Sequence, residues 1–60
     1  MRLVYWHNGL KGRAGLWTIQ YLDADDNQIG NAIEEYNEKM LKRSLKYEEK
    51  VSGLKAERIY

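Results

Sequence analysis

The chain has 60 residues, with ten basic and nine acidic side chains, one histidine and no cysteine. That size allows one small domain, residues 1–60, near the lower limit at which a chain folds without staples, and it excludes disulfides and cysteine-based zinc frameworks. A formal charge of +1 argues against a dedicated nucleic-acid binder, which carries a marked basic surplus, and equally against an acidic mimic of DNA.

The lone imidazole, His7, leaves no second one for a histidine metal site. There is no run of about 18 apolar residues and no short apolar segment behind a basic start, so neither a membrane span nor a signal peptide is expected. Absence of cysteine fits a reducing compartment, and a cytoplasmic location is the expectation. Five Tyr and two Trp stand against no Phe. Such side chains join a large apolar body to a polar tip, which suits the rim of a thin core or a contact surface.

Residues 2–7 (RLVYWH) are β-branched and aromatic, and Asn8-Gly9 closes them with a turn signal. Leu3 and Tyr5 oppose Val4 and Trp6, so both faces of this strand are apolar and alternation alone does not choose the inward one. Residues 8–15 (NGLKGRAG) form a basic, glycine-rich connection, longer than a tight hairpin link. Residues 16–23 alternate clearly: Trp17, Ile19 and Tyr21 share one face, Thr18 and Gln20 the other. An acidic turn at 24–27 follows, and residues 28–30 read as a short third strand.

From Ala32 the pattern becomes helical. Asn31 fits an N-cap, with Glu34 three residues later as in a capping box. Glu35–Lys39 and Glu38–Lys42 are i,i+4 pairs in the favourable orientation. Ile33, Tyr36, Met40, Ser44, Tyr47, Val51 and Leu54 project onto one stripe, widened by Leu41 and Leu45. Gly53 is the one strong breaker, so the helix ends near Ser52 or continues past it at a cost of about 1 kcal/mol. A helix over 32–52 would run roughly 30 Å, longer than a six-residue strand of about 20 Å. The expected fold is α+β: a two- or three-stranded antiparallel sheet, hairpin or meander, with one long C-terminal amphipathic helix. Trp17, Ile19 and Tyr21 are expected to meet Ile33, Tyr36, Met40 and Leu41.

Three local patterns are candidate sites. From Asp23 to Glu34, oxygen-bearing side chains fall at the first, third, fifth, ninth and twelfth positions, as in an EF-hand loop. Gln28 replaces the required glycine and a strand precedes the loop, so a plain acidic turn is the favoured reading and no metal site is assigned. The glycines of residues 9–15 with Lys11 and Arg13 allow contact with an anion, but the flanking strands do not suit a KH-type clamp and no Walker-type lysine follows. His7 lacks an assigned nucleophile or orienting carboxylate, so no catalytic residue and no cofactor are assigned.

The function expected is that of a non-enzymatic module that binds a larger protein and occludes part of its surface, as an inhibitor or adaptor. Tyr5, Trp6, Leu10, Lys11 and Arg13 are the candidate partner-binding residues. Ile33, Tyr36, Met40, Tyr47, Val51 and Leu54 are the helix face expected to form core or dimer contacts. Chains of this size and style occur among phage and mobile-element inhibitors such as anti-CRISPRs; the analogy is one of size and style only, and no family is recognised. The alternative is a nucleic-acid-binding regulator using Lys11, Arg13 and the helix cations Lys39, Lys42, Arg43, Lys46 and Lys50. A domain this small without staples commonly relies on association, so a homodimer is expected too.

Overall fold

The computed structural model describes residues 1–9 and 16–59. It is α+β, with β1 at Arg2–His7, β2 at Trp17–Leu22, β3 at Gln28–Glu35, α1 at Glu38–Ser52 and β4 at Ala56–Arg58. The sheet has four strands, in the order β3-β2-β1-β4, rather than the two or three expected. β1 to β3 form an antiparallel meander, and β4 lies parallel to β1. The parallel pairing has a topological cause: α1 carries the chain from β3 at one edge across the sheet to β4 at the other, which leaves β4 running with β1.

The register settles which side of β1 faces inward. Leu3 pairs with Tyr21, Tyr5 with Ile19 and His7 with Trp17, so these six share the helix-covered face. Val4, Trp6, Thr18 and Gln20 share the other. Leu3, Trp17, Ile19 and Leu41 make the central buried cluster, with Tyr5, Tyr21, Ile33, Leu45, Leu54 and Ala56 packed around it. The expected inner face of β2 is therefore correct, and so is the meeting of that face with Ile33 and Leu41.

The helix departs from expectation at its start. Residues 28–35 form one eight-residue strand, and the cap is Asn37, not Asn31. Asn37 is extended (φ −145°, ψ 167°), and its side chain accepts a hydrogen bond from the Met40 amide at 2.9 Å. Two physical terms override the Asn31–Glu34 signal. Pairing with β2 satisfies the backbone of Glu34 and Glu35, and it sets Ile33 against Ile19 on the core face. A register shift between Ile19 and Tyr21 leaves Gly30, Asn31 and Ala32 as a bulge, and Gly30 supplies the positive φ (+72°) there. The Gln20 side chain, 1% exposed, donates to the carbonyls of Ile29 at 3.0 Å and Tyr21 at 3.2 Å, tying down the bulge from β2.

The helix end follows the breaker. Gly53 adopts φ +74° and its N–H bonds the Glu49 carbonyl at 2.9 Å, a left-handed cap that suits glycine. At 15 residues the helix is roughly 22 Å long, so the expected overhang beyond the sheet is absent. Leu54 and Ala56 instead turn back onto the sheet. Ile59 donates its backbone N–H to the Tyr5 carbonyl at 3.0 Å.

Trp17 is 7% exposed in the central cluster, so Trp17→Ala should cost about 3–5 kcal/mol. Most of the stability of a domain holding about 5 kcal/mol would go with it, and denaturant melts followed by circular dichroism read the loss. The same melts locate the cap: Asn37→Ala should cost about 1 kcal/mol, while Asn31→Ala should stay within about 0.5 kcal/mol of the parent.

Candidate interaction surfaces

The helix-covered face ends in an aromatic cluster at the close of β1. The His7 ring meets Trp17 edge-on with centroids 4.7 Å apart, Tyr5 lies 6.2 Å from Trp17, and the Arg58 guanidinium stands 5.0 Å over the Trp17 ring. A guanidinium in that position is held by the ring quadrupole. Tyr5 and Trp6, both candidate partner-binding residues, lie on opposite faces of β1, as the alternation of that strand predicts. Trp6 Nε1 donates to Asn8 Oδ1, and Asn8 Nδ2 donates to Thr18 Oγ1, each at 2.9 Å. The Asn8 amide bonds the Leu16 carbonyl at 2.7 Å, closing the base of the basic connection beside this cluster. Leu10, Lys11 and Arg13 lie outside the described residues. His7 Nδ1 accepts the Gly9 N–H at 3.2 Å, so one of its two ring nitrogens is committed to the backbone.

The second surface is the flank of α1. The helix is anchored through Leu41 and Leu45, with Glu48 and Ser52 continuing the same row. Beneath it, Tyr21 donates its hydroxyl to Glu48 Oε1 at 2.7 Å, and Ser44 donates to Glu35. Burial pushes the Tyr21 phenol above its usual range, and the bond to Glu48 adds to the shift.

The stripe expected to face the core lies one step round the helix. Tyr36 is 57%, Met40 44%, Tyr47 63% and Val51 59% exposed, whereas Ile33 and Leu54 are half-buried. As core residues the first four are misassigned. The reason is phase: with the cap at Asn37, Ile33 belongs to a strand, and the wheel that it anchored no longer applies. A groove of about 340 Å³ opens between β3 and this flank, lined by Ile33 and Glu35 on one side and Met40, Arg43, Ser44, Tyr47 and Glu48 on the other.

The acidic turn takes care of itself. Asp23 Oδ1 accepts the amides of Asp25 at 2.8 Å and Asn27 at 2.9 Å. These bonds, from Asn27 first, hold its carboxyl below the usual range. Asp26 takes the left-handed conformation at φ 63°, and its carboxylate meets Arg2 at 2.9 Å. Strands flank the turn on both sides, unlike an EF-hand loop. Among the described residues no group of three or more His, Asp or Glu is placed to hold a metal ion, and no helix is long and apolar enough to cross a membrane.

The Arg58 contribution was missed from sequence because residues 56–58 carry no strand signal of their own; only the parallel pairing of Arg58 with Tyr5 brings it to Trp17. The His7–Trp17 contact follows from hairpin register, which the long connection left unspecified. No family model matches the chain, and neither the curated proteins nor the solved structures compared with it give a match.

The Tyr21–Glu48 bond predicts an alkaline signature. The folded pKa is raised, so the neutral phenol contributes stability that is complete below its unfolded value of about 10 and lost as pH rises through the folded value. Tyr21→Phe should flatten the decline of the denaturation midpoint above about pH 10. An equally steep decline in the variant would show that another group causes it.

Proposed function

We propose that the chain is a non-enzymatic protein-binding module that works by covering part of a larger protein's surface, as an inhibitor or adaptor. The observation that carries this reading is the cluster at the end of β1, where Tyr5, His7 and Arg58 surround Trp17. An excess of exposed apolar side chains supports it: among the described residues five hydrophobic side chains are buried, while seven large ones, Met1, Ile29, Tyr36, Met40, Tyr47, Val51 and Ile59, are exposed.

The partner contact is assigned to the end of β1. There Tyr5, His7 and Arg58 gather around Trp17, Trp6 lies on the opposite face, and the connection bearing Leu10, Lys11 and Arg13 departs. Aromatic and arginine side chains are the residue types that dominate binding energy at protein interfaces. The lysine and arginine of the connection suit a role in steering encounter.

Affinity capture from the native host with the immobilised chain, followed by mass spectrometry, tests the reading. One large protein should be retained by the parent. Its retention should weaken by at least about 2 kcal/mol in a Trp6→Ala variant that remains folded, Trp6 being the one of the two aromatics on the uncovered face, while Lys11→Ala/Arg13→Ala should mainly slow association. Nucleic acid as the sole captured species, with a log–log salt slope of several units, would replace the reading with that of a nucleic-acid-binding regulator.

A further inference from the structure

We propose that the exposed flank of α1 is the seam of a symmetric homodimer, closed by the same helix of a second copy running antiparallel. The stripe Met40, Ser44, Tyr47, Val51 advances by four, three and four residues, the alternation of a coiled-coil seam. With the two-fold axis level with the bond between Leu45 and Lys46, Met40 meets Val51 of the second copy and Ser44 meets its Tyr47. Each large side chain then lies over a smaller one, and the four layers close without a gap at either end. A parallel arrangement would stack Tyr47 on Tyr47 and Ser44 on Ser44, leaving rings crowded in one layer and a thin layer of hydroxyls in the next.

The available area matches the need. An interface of about 800 Å² per partner that is a little over half non-polar takes about 450 Å² of apolar surface from each side. Tyr36, Met40, Tyr47 and Val51, exposed by 44–63%, supply on the order of 400 Å². The seam itself holds no charge. Lys50 flanks it on the side away from the sheet and Arg43 lines the groove beside it, where like charges in water cost little. The neighbouring edge strand is a poor alternative route to association, because the bulge at Gly30–Ala32 interrupts the row of backbone groups that a further strand would need.

The dimer shares with the larger-partner reading only the excess of exposed apolar side chains, and the two fail separately. A chain that captures no larger protein can still dimerise, and one that stays monomeric can still capture its partner.

The absence of native cysteine makes cross-linking a direct test. Under mild oxidation the Met40→Cys/Val51→Cys double variant should convert to a covalent dimer, whereas each single variant should not. In the antiparallel seam two copies of either position lie about 16 Å apart, outside disulfide reach. Light scattering on the parent should give twice the 7.1 kDa chain mass. Tyr47→Lys, altering a side chain that is 63% exposed, should halve that mass while keeping the far-ultraviolet circular dichroism. A parent mass of 7.1 kDa at every soluble concentration would overturn the dimer. Covalent dimers from the single variants would overturn the antiparallel seam.

Discussion

The seat of the helix on the sheet depends first on Leu41, which joins Leu3, Trp17 and Ile19 in the buried cluster. Leu41 is the only buried side chain the helix contributes. Leu45 adds a half-buried neighbour, and the next two residues in that row, Glu48 and Ser52, are polar. The consequence is an interface between helix and sheet that is apolar at one end and hydrogen-bonded at the other. Apolar burial supplies the driving force, while the Tyr21–Glu48 and Ser44–Glu35 bonds supply geometry, each with a modest net contribution.

The ends of the helix compensate for that narrow seat. Asn37 caps the start, and Gly53 closes the finish in a left-handed turn. Glu49 then reaches forward from the last turn to accept the Ala56 amide at 2.7 Å, and Ser52 accepts the Leu54 amide at 3.0 Å. The chain therefore enters β4 in a defined direction within a few residues of leaving α1. On the opposite face of the sheet, Arg2 lies between Asp26 at 2.9 Å and Glu57 at 3.5 Å, and the Glu57 bond chiefly raises its pKa. Both pairs are solvent-exposed and add little to stability. Their effect is registration: β1 is joined to the acidic turn on one side and to β4 on the other.

Where local chemistry alone decided, the sequence was legible. The alternation of Trp17, Ile19 and Tyr21 gave the inner face of β2, and Gly53 marked the helix end. The residues that misled are those whose local and tertiary preferences conflict. Asn31 and Glu34 satisfy a capping pattern, yet cross-strand pairing gives Ile33 and Glu35 more by extending β3. That six-residue delay in the helix start moved the buried row from the Met40–Tyr47 phase to the Leu41–Leu45 phase. β4 was illegible for a different reason. Three residues, Ala56, Glu57 and Arg58, have no period to read, and their strand conformation comes entirely from β1 beside them. The strand-end cluster was half visible: alternation already put Tyr5 and Trp6 on two faces, but which face turns inward and the arrival of His7 and Arg58 at Trp17 are products of register.

The same conflict accounts for the exposed row on α1. α1 packs chiefly against β2 and β3, and a groove lined by Ile33 and Glu35 of β3 and by Met40, Ser44 and Tyr47 of α1 opens between them. A polar row at Met40, Tyr47 and Val51 would have suited a helix flank facing only water. Large apolar side chains there raise the free energy of the isolated chain in water, and cover from outside is the condition under which the row becomes stabilising.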